Sequence, residues 1–396
     1  MREANNNCPA LSPFGTARDT QIQVIGTFAK HSEQIEGAKC LSPLVKMYRK
    51  LSSWENLLLA YRKASKGKRG HPNVAAFEHR FEDHLFELED ELRNFSYSPG
   101  KYRSFHIHEP KRRLISAAPF RDRVVHHALC NLIEPIFERS FIHDSYANRV
   151  GKGTHRALNR AQKFSRRYPY VLQCDLRQFF PSIDHAILRQ EISRKIKDES
   201  VRWLCDSIMQ SGEKILRDEY EMIYFAGDNL LAINRPRGLP IGNLTSQFWA
   251  NVYMNPFDHF VKRELHCKAY LRYVDDFLLF AEDKKTLNQW KQAIGSRLAR
   301  MRLTIHPHAQ ARPVTEGFTF LGFCIFPQKR RLKRQKRLYY QRKLREMASA
   351  YGSGDISLTE MDASVQGWVN HVRYGNTIGL RKAILGSFLL GGKHGT

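Results

Sequence analysis

Apolar positions recur at helical spacing from Pro43 to Ala64 (Leu44, Val45, Tyr48, Leu51, Trp54, Leu57, Leu58, Tyr61) and predict a helix there. Residues 73–95 read as one amphipathic helix with an acidic face, ended by the turn residues of "YSPG". Alternation over 102–118 predicts two paired strands joined around "HEPKRR", followed by a helix through "FRDRVVHHALCNLIEPIFERSF". A strand is expected over 170–180, "YVLQCDLRQFF", and then a helix near "SIDHAIL" with Ser182 as its N-cap. Residues 235–261 form a Gly/Pro loop running into a helix. The stretch "LRYVDDFLLF" (271–280) continues as a hairpin to 281, with a helix at about 284–301. The remainder is basic and mostly helical. This order, without an internal repeat, predicts an α+β core rather than an even alternation of strands and helices. Residues 1–42 are polar and aperiodic, an N-terminal extension that is a disordered leader, a small accessory element or an upstream start with little structure.

Composition adds a partner class. The chain has 64 Lys+Arg against 39 Asp+Glu, a formal charge of +25, with 42% hydrophobic and 11% aromatic residues. Such a chain is globular, and its charge imbalance points to a polyanion. Nucleic acid ranks first, because the basic residues are interleaved with aromatic rings. A membrane surface is the weaker alternative, since neither a long apolar segment nor a basic amphipathic anchor is present. The N-terminus lacks an apolar core of the kind a signal peptide needs. The seven cysteines stand far apart without metal-ligand spacing, so reduced thiols and a cytoplasmic location are expected.

The chemistry lies in three acids. Asp275 and Asp276 interrupt the most hydrophobic strand signal, and Asp175 interrupts another, 100 residues upstream. A lone acid of this kind is ordinarily a strand-end or turn carboxylate. Three brought together by adjacent strands would repel unless a cation neutralised them. A hard oxygen donor set without His or Cys suits Mg²⁺, which shares substrate phosphates.

These motifs resemble those of reverse transcriptases over residues 66–385. The resemblance implies a right-hand polymerase fold with an antiparallel palm sheet and a helical thumb. "CDLRQFFPSID" is similar to the first catalytic motif and "YVDD" to the second. Asp175, Asp275 and Asp276 would be catalytic, holding two Mg²⁺ ions (Mn²⁺ as a substitute) together with Leu176. Phe180 falls where an aromatic ring would exclude a ribose 2′-hydroxyl. "GLPIGNLTSQ" resembles the loop–helix that supports the incoming nucleotide, with Ile241, Gly242 and Gln247 as contacts. Ile241 replaces the commoner Gln of "PQG", which implies lower fidelity. That form looks most like the reverse transcriptases of diversity-generating retroelements, which copy a structured RNA with frequent errors and use a small basic accessory protein. Antiphage and retron-like enzymes are near alternatives.

"EPKRRLIS" resembles the fingers motif that grips the triphosphate, with Lys111, Arg112 and Arg113 as candidates; a solvated basic turn is the plainer reading. "SYANRVGKGTHRAL" resembles the next fingers motif. Ala309 stands where the family usually has a lysine, leaving His306 or His308 as substitutes. "FTFLGFCIF" resembles the primer-grip hairpin, with Leu321 and Gly322 at the primer end. Ten Lys/Arg fill the seventeen positions 329–345. Lys329, Arg330, Arg331, Lys333, Arg334, Lys336 and Arg337 are therefore expected to hold nucleic-acid phosphates. Trp368 either stacks on nucleic acid or packs in a core.

The expected division is an extension over 1–42, N-terminal helices and fingers over 43–165, palm over 166–328 and a basic helical thumb over 329–396. The reading is an RNA-directed DNA polymerase that takes dNTPs and a cognate structured RNA and builds an RNA/DNA hybrid. An RNA-binding scaffold is the non-enzymatic alternative.

Overall fold

A computed structural model describes residues 43–108 and 112–386. Contacts divide the chain into two units at Met47/Tyr48. The expected extension over 1–42 and the candidate Lys111 lie outside the described residues. Helix α1 covers Pro43–Leu51, and α2 (Trp54–Ser65) starts at Ser53, whose side chain accepts from the Asn56 N–H.

The single helix expected over 73–95 is two, α3 (Pro72–His79) and α4 (Phe81–Arg93), broken at Arg80 (φ −130°, ψ 46°). The break lets Phe77 and Phe81 both stack on Tyr61, at 5.9 and 5.5 Å, so burial of rings overrides the periodicity. Strands β1 (Arg103–Ile107) and β2 (Arg113–Ala117) pair antiparallel as expected. Helices α5 (Phe120–Glu138) and α6 (Thr154–Arg167) follow.

Strand β3 (Tyr170–Asp175) stops at the acid itself. Gln178, in the left-handed region (φ 45°), turns the chain into the single turn α7 (Phe179–Ser182). The next helix, α8 (His185–Lys195), is capped by Asp184, which accepts from the N–H groups of Ala186 and Ile187. Ser182 is therefore not its cap; its hydroxyl donates to the Gln178 carbonyl at 2.7 Å. Helices α9 (Glu199–Gly212) and α10 (Leu244–His259) flank a loop-rich segment. Strands β4 (Tyr270–Tyr273) and β5 (Asp276–Ala281) form the hairpin, and α11 (Lys284–Arg300) comes next.

With β6 (Ala311–Pro313) these strands build a four-stranded antiparallel sheet in the order β4-β5-β3-β6. A second sheet orders β7 (Phe318–Phe320), β8 (Phe323–Ile325) and β9 (Arg330–Leu332) consecutively. Its Phe318, Phe320, Phe323 and Ile325 share one core with Val171, Leu278 and Phe280 of the larger sheet and with Ala157, Leu158 and Phe164 of α6. The start of the basic run is thus a strand, and the helices begin only at α12 (Arg334–Ser353), followed by α13 (Leu358–Val372) and α14 (Ile378–Gly386). These three enclose a small core of Tyr340, Leu344, Met361 and Ile384. Trp368 stacks flat on Tyr340 (4.2 Å, 1°), so it packs inside this core.

Cys130, Cys174, Cys205 and Cys267 are buried free thiols, and Cys324 is half-buried. Among the described residues no helix is long and apolar enough to cross a membrane.

Candidate active site

The register of the larger sheet sets two of the acids opposite one another and leaves the third in the adjoining turn. Asp175 ends β3 directly opposite Asp276, the first residue of β5, and Tyr273 pairs with Asp276 from the other side. Val274 and Asp275 form the turn. Asp175 and Asp276 are cross-strand partners, so their side chains share a face. The Gln173 amide, two residues along that face, donates to both carboxylate oxygens of Asp276 at 3.2 and 3.4 Å. Burial, reinforced by the charge of Asp175, pushes Asp275 up to about 6, with Arg113 and Arg272 opposing. Burial also drives Asp276 well above the ordinary carboxylate range, against the pull of Gln173 and with the charges of Asp175 and Asp275 adding to it. Carboxylates held near one another against their own repulsion are the donor chemistry that suits a hard divalent cation, although among the described residues no three acidic, His or Cys side chains are grouped closely enough to hold one as they stand. Leu176 suits that chemistry too. The ladder bonds to residues 304–306 are made by its neighbours, His306 N–H to the Asp175 carbonyl (2.8 Å) and Arg177 N–H to the Thr304 carbonyl (2.9 Å).

Beneath the turn lies a feature that the sequence reading missed. Arg272 is fully buried and donates to both oxygens of Asp258 at 2.8 and 2.7 Å. Its remaining donors reach Asn251 Oδ1 (3.2 Å), Ser145 Oγ (3.3 Å) and the Val274 carbonyl (2.8 Å). Tyr270 donates to Asp258 at 2.6 Å. Val274 has φ +58°, a conformation that a β-branched residue adopts only where its surroundings enforce it, at a cost of about 1–3 kcal/mol. The guanidinium, through its bond to the Val274 carbonyl, supplies that enforcement next to Asp275. A charged residue inside the strand signal "YLRY", matched by an acid in the apolar helix "NPFDHF", was the available clue. The "SYANRVGKG" segment is bridged to the same strand through Ser145 and Arg272, and Thr154 Oγ1 lies 3.0 Å from the Tyr273 hydroxyl.

The loop over 239–243 is tied to β2 and to the Phe180 turn. Ser116 N–H donates to the Ile241 carbonyl (2.8 Å), while Asn243 accepts from Ala118 N–H (3.2 Å) and donates to the Ser116 carbonyl (2.9 Å). Gly242 has φ +114°, and a Cβ there would sit 3.0 Å from Ile115 Cγ2, so any other residue would be strained and would press on Ile115. Leu239 N–H donates to the Phe180 carbonyl at 3.0 Å. Phe180, Ile241 and Gln247 are half-buried around this junction, and Arg112 and Arg113 are exposed beside it. Arg112 lies 3.1 Å from His106 Nε2, whereas Arg113 acts electrostatically on Asp275.

In the second sheet, Leu321 (φ +48°) and Gly322 (φ +86°) form the two-residue turn between β7 and β8. The Gly322 carbonyl accepts from Lys333 N–H at 3.0 Å, so the turn is joined to the start of the basic helix. Lys329, Arg331, Lys333, Arg334, Lys336 and Arg337 are exposed. Arg330 is not; it is buried and donates to the Tyr374 carbonyl, Asn159 Oδ1 and Gln162 Oε1. It ties β9 to α6 and to the segment after α13, and is corrected from a phosphate contact to an internal strut. At the position of the missing lysine, the Ala309 carbonyl accepts from Lys291 Nζ, and the exposed rings of His306 and His308 stack at 5.0 Å.

A protein-family profile described as "Reverse transcriptase (RNA-dependent DNA polymerase)" matches residues 106–325, a span that holds the acids, the nucleotide loop and the hairpin. The chain belongs to the reverse transcriptase family. Its antiparallel sheet with flanking helices is the α+β right-hand polymerase fold. Protein YkfC of Escherichia coli is 24% identical over 306 residues, covering 65% of this chain and 75% of YkfC. The group II intron-encoded protein LtrA of Lactococcus lactis is 25% identical over 183 residues, covering 46% of this chain but only 28% of LtrA. A solved structure of apo telomerase from Candida tropicalis aligns with a TM-score of 0.40 at 12% identity, over 58% of this chain and 48% of the telomerase.

Proposed function

We propose that this reverse transcriptase makes cDNA from a cognate structured RNA by nucleotidyl transfer at Asp175, Asp275 and Asp276. The convergence of these three acids at one sheet end carries the reading, because bound cations would relieve the burial and repulsion that otherwise drive Asp275 and Asp276 toward protonation. Two Mg²⁺ ions, or Mn²⁺ in their place, would activate the primer 3′-hydroxyl and stabilise the departing pyrophosphate. Asp175, Asp275 and the carbonyl of Leu176 would hold them, with Asp276 auxiliary because Gln173 already engages it. Arg113, with Arg112 and Lys111, would hold the triphosphate. Gly242, Ile241 and Gln247 would back the nucleotide, and Phe180 would exclude a 2′-hydroxyl. Leu321 and Gly322 would set the primer end, with the exposed cations of 329–337 on phosphates. In this reading 43–165 act as fingers, 166–328 as palm and 329 onward as thumb, in the cytoplasm.

The apolar Ile241 in "PIGNLTSQ" supports error-prone copying within a diversity-generating retroelement, served by a small basic accessory protein. The intron-encoded relatives favour a second reading, an intron-type retroelement enzyme. Extension of a primed RNA with dNTPs and Mg²⁺, beside an Asp275→Ala/Asp276→Ala control, tests the chemistry. Sequencing the product separates the two biologies: errors concentrated at template adenines support the first, accurate DNA the second, and no DNA even with the native RNA overturns both.

The 2′-hydroxyl exclusion has its own test. Phe180→Val raises ribonucleotide incorporation relative to deoxynucleotide by about 10- to 100-fold, read from single-nucleotide kcat/KM. An unchanged ratio removes Phe180 from that role.

A further inference from the structure

Between α9 and the nucleotide loop, residues 213–237 leave a cavity of about 180 Å³ whose lining has four cations, Lys214, Arg217, Arg235 and Arg237, and one acid, Glu213. Pro181, next to Phe180, forms part of its wall. At about 30 Å³ per water, the space holds roughly six waters, enough for a phosphoryl group with part of its sugar.

The cations differ in how they are held. Arg235 is paired with Asp228 and Asp184, two acids that Arg302 also bridges. Arg237 lies 4.2 Å over the Tyr220 ring and donates to the carbonyls of Ala232 and Ile233. These contacts aim its guanidinium without neutralising it. Burial, with the charges of Arg235 and Arg217, presses Arg237 below its ordinary value, while Tyr220 and Asp184 oppose. Among the described residues, neither Lys214 nor Arg217 enters an ion pair, although both are exposed. Of the nearby acids, Glu219 pairs with His106 and Glu221 with Arg177. The cavity is therefore walled by one oriented, unpaired guanidinium, Arg237, and by the exposed, unpaired cations Lys214 and Arg217, with one carboxylate in its lining.

We propose that this cavity is a phosphoryl-binding site separate from the catalytic acids. Planar guanidiniums and a lysine around a concave space match phosphate oxygens by fork geometry and point charge. The site is mechanically joined to the catalytic strand's end. Arg177 pairs with Glu221 at 2.8 Å, and Gln178 Oε1 accepts from Glu221 N–H at 3.2 Å. A phosphate held there anchors a strand beside the Phe180 turn. The phosphoryl group comes from a nucleic-acid backbone or from a free phosphate compound, and the two sources are separable.

The test uses the full chain without divalent metal, so that the catalytic acids take no part in binding. Binding of a labelled single-stranded RNA is measured by anisotropy from 50 to 200 mM salt, and binding of pyrophosphate by calorimetry. The variant is Lys214→Gln/Arg217→Gln, beside a control with the same charge change elsewhere, Lys285→Gln/Arg300→Gln, whose residues are also exposed. A backbone phosphate predicts RNA affinity about tenfold weaker in the site variant than in the control, and a log–log salt slope lower by about 1. A free phosphate compound predicts weakened pyrophosphate binding with unchanged RNA binding. Equal losses in variant and control, or no loss of either ligand, overturn the site. None of these readouts involves DNA synthesis, so failure here leaves the polymerase reading standing, and the reverse also holds.

Discussion

Asp275→Asn lowers DNA synthesis on a primed RNA by about a thousandfold or more, yet leaves the protein folded and, without divalent metal, more heat-stable than the wild type. The two effects share one cause. Asp275 sits half-buried in a two-residue turn, where burial, with the charge of Asp175 added, pushes its carboxyl up to about 6. Above that pH the folded protein holds an anion that burial and Asp175 both disfavour, whereas the unfolded chain ionises it freely, so ionisation weakens the fold. The amide keeps the shape and removes the repulsion. It also removes a metal donor, and losing several kcal/mol of charge stabilisation in the transition state is worth on the order of 10³ in rate at tenfold per 1.36 kcal/mol. Thermal unfolding with and without Mg²⁺ checks this. Mg²⁺ raises the wild-type Tm and leaves that of Asp275→Asn nearly unmoved. A variant that keeps wild-type activity, or a wild type indifferent to Mg²⁺, would refute the metal-site reading.

Arg272→Met destabilises the protein by about 3–5 kcal/mol, because it strands the fully buried Asp258 without its partner. Stability alone would make Arg272 an ordinary core residue. Its bond to the Val274 carbonyl gives it a second effect, since Val274 is held at positive φ between Tyr273 and Asp275. The double variant Arg272→Met/Asp258→Leu separates the two. Replacing a buried ion pair by apolar groups is often nearly neutral, so the double variant recovers most of the Tm. It does not recover the turn, and the Mg²⁺ concentration for half-maximal synthesis stays raised by about tenfold. If that concentration returns to the wild-type value along with the Tm, Arg272 is structural only and positions nothing.

The acids were legible because an ionisable group inside a strand-forming apolar run conflicts with burial unless something uses it. The same conflict was visible at Arg272 and Asp258, but each alone reads as a charge near the end of its element, and a sequence separation of 14 hid their pairing. Arg330 was misread for the opposite reason. It belongs to a run of ten cations, and only the pairing of β9 with β8 sends this one inward to Gln162 and Tyr374 while its neighbours stay exposed. The bend at Arg80 follows from Tyr61, about twenty positions away, accepting two rings. The cap of α8 moved from Ser182 to Asp184 because the left-handed Gln178 had already drawn Ser182 into a turn of its own.

Local chemistry was carried in the order of residues: strand and helix segments, the three acids, the glycine that lets the loop approach β2, and the excess of positive charge. These properties depend on near neighbours and side-chain type, which a single chain displays in full. Which acids face each other, which arginine is buried, and which cations surround a cavity depended on register and packing between segments as far apart as Asp175 and Asp276. Those choices are made when apolar faces close on one another, because a one-residue slip of β5 against β3 would place Asp276 on the opposite face from Asp175 and leave no metal site at all.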